Sequence, residues 1–328
     1  MEVKVSAALD PMSDYAIGID IGGTKINAGI VHSSGEVELA VSMATLAGVA
    51  DTSERVTLTL RKLLQEAGSA RPGLRFKGIG VGSAGQIDWA SGSVRSASEL
   101  LPGYAGTPLK QLLQSQFAMP VYVDNDVNVL ALTEKYLGAG KGMDHFLCVA
   151  LGTGVGGAVV VNGQLVHGVW GAGGELGHLS VDWKGEPCLC GGQGCLEQYA
   201  SGTNIARRMA VRLEKAGMGQ VPVDSREVFS RWRLGDPLAA EVMQESMSAV
   251  GAGLASLIHI FNPHLIVVGG GVADASELFL EGIRRETMSR TMPSMREGVR
   301  IEKAYRGNWG GMIGAALQVW EYDMGTHA

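Results

Sequence analysis

A glycine-rich turn flanked by two apolar, β-rich runs occurs twice in this chain, once in each half. Ala16 to Ile21 and Ile26 to Val31 flank Asp20-Ile-Gly-Gly-Thr-Lys25, and Phe146 to Leu151 and Ala158 to Val161 flank Gly152-Thr-Gly-Val-Gly-Gly157. Two such runs around so short a turn read as a hairpin-like pair. The second turn formally matches G-x-G-x-x-G, and so does Gly80-Val-Gly82-Ser-Ala-Gly85. A dinucleotide-binding turn must open into a helix, whose N-terminus holds the pyrophosphate. Ala158-Val-Val-Val161 is strand text instead, and G-x-x-x-x-G-K-[ST] occurs nowhere. The chemistry left for a glycine hairpin is a cradle of backbone N–H groups around phosphate oxygens. Asp20 ends its strand just before Gly22, Gly23, Thr24 and Lys25, where a carboxylate faces Mg²⁺ or its water shell.

Strand and helix signals alternate along the rest of the chain. Val56, Leu60, Leu63, Leu64 and Ala67 follow a helical period behind the capping residues Thr52 and Ser53. Strands are expected at Phe76 to Val81, Val121 to Val123, Leu265 to Val268 and Val299 to Ala304. Further helices are expected at Val127 to Leu137, about 203–216, 238–260, 276–290, and Gly311 to Glu321. Residues 163–202 read as loop. The alternation means an α/β class, and 328 residues are roughly two domains' worth. No low-complexity linker separates the halves, so two domains sharing a cleft and exchanging chain segments are expected. Residues 1–14 read as a loose tail, too short for a helix-turn-helix module. The 48 glycines are about twice the average usage of about 7% and follow no G-X-Y period.

A net charge of −6 and a pI near 5.7 argue against nucleic acid as a partner. The N-terminal residues show no apolar signal region, and the uncharged stretch Met247 to Ala273 carries Asn262-Pro263-His264, so no membrane span is expected. Three of the four cysteines fall within eight residues, too tight for a disulfide framework and suited to a metal site in a reducing, cytoplasmic compartment. His178-x9-Cys188-x-Cys190-x4-Cys195 supplies three thiolates and one imidazole, a closed structural Zn²⁺ set. Cys148, inside Phe-Leu-Cys-Val-Ala, is a core residue.

The two glycine turns resemble the phosphate motifs of the ROK family (repressors, open reading frames, kinases). Gly174-Glu175-Leu-Gly-His178 through Cys188-Leu-Cys190-Gly-Gly-Gln-Gly-Cys195-Leu-Glu197 is similar to that family's zinc signature. The resemblance runs from Tyr15 to about Gln318. It implies an actin-like ATPase (ribonuclease H-like) α/β fold with a zinc-binding loop over 178–195. A small domain, 15–124, is completed by a C-terminal segment at about 305–328, and 125–304 form a large domain. It further implies ATP with Mg²⁺ in the cleft, Gly152, Thr153 and Gly154 at the phosphates, Gly270 and Gly271 at the adenosine side, and a homo-dimer or tetramer.

For the sugar acceptor, Asp124-Asn125-Asp126-Val-Asn128 lies where a strand gives way to a helix. Asp126 is the expected general base for an attacking hydroxyl, with Asn125 holding the sugar through its amide, and Asp124 reads as a helix N-cap. The resemblance supports that pair, and implies sugar contacts from Gly85, Glu175, His178 and Glu197. Zinc on one imidazole nitrogen leaves the other N–H for a hydroxyl. The family's Gly-x-Pro-Gly and Asn-Leu-Pro-Gly-Trp stand here as Gly82-Ser-Ala-Gly85 and Leu100-Leu-Pro-Gly-Tyr104. The expected activity is transfer of the γ-phosphate of ATP to the 6-hydroxyl of a hexose, glucose first. N-acetylglucosamine or N-acetylmannosamine and a non-catalytic sugar-sensing regulator are the alternatives.

Overall fold

The computed structural model describes residues 14–97 and 100–325. The tail expected over residues 1–14 lies, apart from Asp14, outside the described residues. The described strands in chain order are β1 (Tyr15–Ile21), β2 (Lys25–His32), β3 (Val37–Ala44), β4 (Ile79–Ser83), β5 (Gln86–Asp88), β6 (Ser93–Ser96) and β7 (Val121–Asn125). They continue as β8 (Phe146–Leu151), β9 (Val155–Val161), β10 (Gln164–Leu165), β11 (Leu265–Gly269) and β12 (Arg300–Lys303). The helices are α1 (Thr52–Ala70), α2 (Leu109–Phe117), α3 (Asp126–Tyr136), α4 (Glu197–Ala200), α5 (Gly202–Lys215) and α6 (Ser225–Arg233). After them come α7 (Pro237–Phe261), α8 (Gly271–Asp274), α9 (Glu277–Arg290), α10 (Pro293–Arg296) and α11 (Gly310–Gly325).

The chain divides into two units. The first comprises the described residues up to Leu132 together with those from Gly311, and the second runs over Thr133–Gly310. The first contains a five-stranded sheet in the order β3-β2-β1-β4-β7, and the second a sheet in the order β10-β9-β8-β11-β12. In each, three strands run antiparallel and two more continue in parallel from the third. The repeated glycine hairpin is therefore the visible part of a repeated sheet.

Helix α1 buries Val56, Leu60, Leu63 and Ala67. Its cap is Asp51, whose carboxylate accepts the Glu54 N–H at 3.0 Å, so Thr52 and Ser53 fall inside the first turn instead of capping it. The strand expected from Phe76 starts at Ile79, where pairing to Ile17 and Val121 begins. The strand expected from Ala158 starts earlier, at Val155, because Gly156 and Gly157 pair with Ala150 and Val149. An added Cβ on Gly157 would lie 2.4 Å from Leu176 Cγ and 2.6 Å from the Gly174 carbonyl oxygen. Both glycines thus belong to the strand, and Gly157 also serves its packing.

Glycine also determines how α11 lies on the first sheet. A Cβ on Gly18 of β1 would sit 2.0 Å from the Met312 carbonyl oxygen, and one on Gly80 of β4 only 1.6 Å from that of Ala315. The helix backbone thus rests directly on the two central parallel strands. Gly80→Ala is expected to destabilise the protein by about 3 kcal/mol, the upper end of overpacking, because backbone rather than a flexible side chain must move. Chemical denaturation should show a lowered midpoint, and an unchanged midpoint would contradict this packing. The second unit's core gathers the inner faces of β8, β9 and β11 with the apolar faces of α5, α7 and α9. None of the described helices is long and apolar enough to cross a membrane.

Candidate active site

In the first unit, parallel register aligns the candidate residues. Asp20 pairs with Gly82 and Gly82 with Asp124, while Ile21 pairs with Ser83 and Ser83 with Asn125. The first glycine turn, the Ser83–Gly85 segment and the Asn125-Asp126 junction therefore all leave the sheet at the carboxyl edge of its parallel strands. That edge is where α/β sheets bind ligands. Within the turn the Gly22 N–H donates to the Lys25 carbonyl at 3.0 Å, and the Thr45 hydroxyl donates to the Gly22 carbonyl at 2.7 Å.

Burial pushes the Asp20 carboxyl above its ordinary value, against the opposing influence of Asn27 and Lys25. Asn27 Nδ2 reaches Asp20 Oδ2 only at 3.4 Å. An added Cβ on Gly311 would lie 3.0 Å from Asp20 Cγ, so the first turn of α11 closes on this carboxylate. Sequence reasoning missed Gly311, which stands far from Asp20 along the chain. A partly buried, desolvated carboxyl with so little compensation suits a divalent cation or its water shell.

At the β7–α3 junction the capping assignment changes. Asn125 Oδ1 accepts the Val127 N–H at 2.8 Å, so Asn125 caps α3, and Asp124 does not. Asp124 is buried and holds the junction from below: its Oδ1 accepts from the Asn125 N–H and from Asn128 Nδ2, and its Oδ2 accepts from the Tyr322 hydroxyl at 3.0 Å. The other end of the Asn125 amide donates to the Gly85 carbonyl at 3.0 Å, which brings those two predicted sugar residues together. Asp126 is the first residue of α3, with Oδ1 3.0 Å from the Val127 nitrogen. Leu100 packs on the first glycine turn, its Cβ 3.2 Å from where a Cβ on Gly23 would stand. Tyr104 turns inward to meet Ser83 Oγ at 3.2 Å, and burial raises its phenol to about 12.

In the second unit, the Gly152 N–H closes on the Gly154 carbonyl at 2.9 Å. Gly270, at φ +89°, stands so close to β8 that a Cβ would meet the Leu151 carbonyl oxygen at 2.4 Å, which sets the Gly270-Gly271 turn against the base of the Gly152–Gly154 turn. Glu197 Oε2 accepts the Val155 N–H at 2.9 Å. Glu197 therefore has a partner in the second glycine turn, which the sequence did not reveal. Glu175 immediately precedes the 3-10 turn Leu176–His178, which carries the His178 ligand.

The metal set assembles as expected. Ligand atoms of His178, Cys188, Cys190 and Cys195 all lie within 4.8 Å of one another. Cys188 Sγ is 3.7 Å from His178 Nδ1, and the Cys190 and Cys195 sulfurs are 3.6 Å apart. Zinc–sulfur bonds of about 2.3 Å in a tetrahedron put ligand atoms about 3.8 Å apart, so the four residues fit Zn²⁺. A Cβ on Gly192 would press on both of those sulfurs at 3.3 and 3.4 Å. Burial raises the Cys195 thiol to about 12, with the neighbouring Cys190 and Cys188 sulfurs adding to the rise. With Nδ1 turned to the Cys188 thiol, His178 Nε2 is the ring nitrogen on the side away from that contact.

Residues 16–321 match the ROK family. The chain is 34% identical over 324 residues to a glucokinase of Halalkalibacterium halodurans, covering 95% of this chain and 97% of that one. It is 32% identical over 310 residues to an N-acetyl-D-glucosamine kinase of Pectobacterium carotovorum, covering 92% of this chain and 97% of that one. A ROK family glucokinase from Streptomyces griseus, solved in complex with glucose and AMPPNP, superposes with a TM-score of 0.82 at 31% identity, over 94% of this chain and 99% of the other. The α/β fold with its two five-stranded mixed sheets is thus the actin-like ATPase fold that the resemblance implied. With agreement running through both units and the metal loop, the chain belongs to the ROK family.

Proposed function

We propose that this protein is an ATP-dependent hexose kinase that transfers the γ-phosphate to the 6-hydroxyl of glucose. The observation that carries the reading is that Asp20 and Asn125 share the carboxyl edge of the parallel strands, with Gly85 hydrogen-bonded to Asn125 and Asp126 opening the helix that follows. Likeness to the Streptomyces griseus enzyme that holds glucose and AMPPNP supports it. Asp126 takes the proton of the attacking hydroxyl, and Asn125 and Gly85 orient the ring beside it. Glu175, His178 and Glu197 complete the sugar contacts. Glu175 and Glu197 accept from hydroxyls, and His178 donates through Nε2. The residues read as ATP-phosphate contacts are Gly22, Gly23, Thr24 and Lys25 of the first glycine turn and Gly152, Thr153 and Gly154 of the second. Gly270 and Gly271 lie at the adenosine side, and Asp20 faces the Mg²⁺ that accompanies ATP. Zinc on His178, Cys188, Cys190 and Cys195 supplies structure and a fixed imidazole, with no part in phosphoryl transfer.

An N-acetylhexosamine is the second acceptor to consider, because Leu100 stands where an amide is expected and is 41% exposed beside the first turn. One buried methyl contributes about 0.8 kcal/mol, too little to reverse a preference built on hydroxyl contacts. At saturating MgATP, kcat/KM is expected to be highest for glucose among glucose, mannose, fructose, N-acetylglucosamine and N-acetylmannosamine. A tenfold advantage for an N-acetylated sugar would overturn the substrate and leave the kinase standing.

A further inference from the structure

Both arms of the zinc loop converge on one residue of the second glycine turn. On the His178 arm, Gly177 approaches Val155 so closely that an added Cβ would stand 2.0 Å from the Val155 carbonyl oxygen. On the Cys195 arm, Glu197 takes the N–H of the same Val155. That arm then runs on along the turn. The Gly202 N–H donates to the Gly152 carbonyl at 2.8 Å, and the exposed Thr203 hydroxyl donates to the Thr153 carbonyl at 2.9 Å. The segment is stiffened internally by Asn204, whose amide donates to the Glu197 carbonyl at 3.0 Å and to Ser201 Oγ at 2.9 Å. Its start is tied across the loop by the Leu196 N–H, which donates to the Leu179 carbonyl at 2.9 Å.

Peptide planarity turns these contacts into an orientation. In a trans peptide the carbonyl of one residue and the N–H of the next point in opposite directions. Holding the Gly152 carbonyl on Gly202 therefore aims the Thr153 N–H away from α5. Holding the Thr153 carbonyl on Thr203 does the same for the Gly154 N–H. If either peptide flipped, it would present a carbonyl oxygen where a phosphate oxygen has to sit.

We propose that Cys195–Thr203 is a brace through which the metal loop sets the second phosphate turn, with Thr203 as a positioning residue for nucleotide binding. The proposal rests on the reading of Gly152–Gly154 as a phosphate cradle. Bound metal would order Cys195, and the eight residues that follow carry that order to three successive peptide units of the turn, 152–153, 153–154 and 154–155. Metal and nucleotide are consequently coupled, and such coupling is reciprocal.

The test is ADP binding by calorimetry, without sugar, to zinc-loaded wild type, Thr203→Val and Thr203→Ser. Loss of one hydrogen bond predicts an ADP Kd about five- to tenfold weaker in Thr203→Val and within about twofold of wild type in Thr203→Ser. The Kd for glucose stays unchanged in both variants. In equilibrium competition against a chelator, ADP should raise zinc retention in the wild type and raise it less in Thr203→Val. An ADP Kd indifferent to Thr203→Val, a serine variant as weak as the valine one, or zinc retention indifferent to ADP would each overturn the brace. If loaded wild type binds no ADP at all, the kinase reading falls with it.

Discussion

Replacing Asp126 by asparagine is expected to slow turnover by about 10²–10⁴, the usual worth of general-base assistance, with the sugar KM within a few fold of wild type. Asparagine keeps the volume of the side chain and an oxygen for the Val127 N–H that now lies 3.0 Å from Asp126 Oδ1. Asn125 continues to cap α3, and Asp124 continues to hold the junction through Asn128 and Tyr322. Only the capacity to take a proton is removed. A loss confined to kcat would mark an interaction made in the transition state, whereas a rise in KM alone would mark simple sugar binding. Near-wild-type turnover by Asp126→Asn would eliminate Asp126 as the base.

Cys190→Ser is expected to cost zinc and stability together. Metal affinity in a closed structural site is folding free energy, because the ligands come together only in the native chain. Removing one of three thiolates should lower the stoichiometry from one zinc per chain towards zero and the melting temperature by on the order of 10 °C, at about 2–4 °C per kcal/mol for a unit of this size. Cys190 is exposed, so serine fills its place without disturbing the core. Sugar binding should weaken with it, since His178 loses the partner that fixes its ring. Elemental analysis and thermal melts on the same preparation give the two readouts, and metal-free protein with wild-type melting would refute the site.

The elements legible in the sequence were those whose signal is local. The glycine hairpins at Gly22 and Gly152 and the zinc spacing needed only near neighbours to be recognised. Strand β3 carries little alternation because most of its residues are only partly buried, so periodicity has nothing to register there. Helices α2 and α6 are nine residues each, too short for a pattern to stand out. At Asp124 and Asn125, two neighbouring residue types that both favour caps, local preference cannot choose. The choice is made by Tyr322, 198 residues away, whose hydroxyl claims Asp124. The string Gly80-Val-Gly82-Ser-Ala-Gly85 has the same origin in distance. Gly80 admits Ala315, Gly82 admits Val129, and Gly85 turns at φ +103°, so three separate packing demands compose one apparent nucleotide motif.

The close seat of α11 on Gly18 and Gly80 has a consequence for the order in which the molecule is made. The strands of the first unit leave the ribosome early, but the helix that covers their glycines is translated after Gly310. The second unit, by contrast, is one uninterrupted stretch, Thr133–Gly310. During synthesis the later unit can thus close first, while the earlier one waits for α11 to cover Gly18 and Gly80. Nascent chains halted before α11 should expose that face to chaperones, and chains released past it should not.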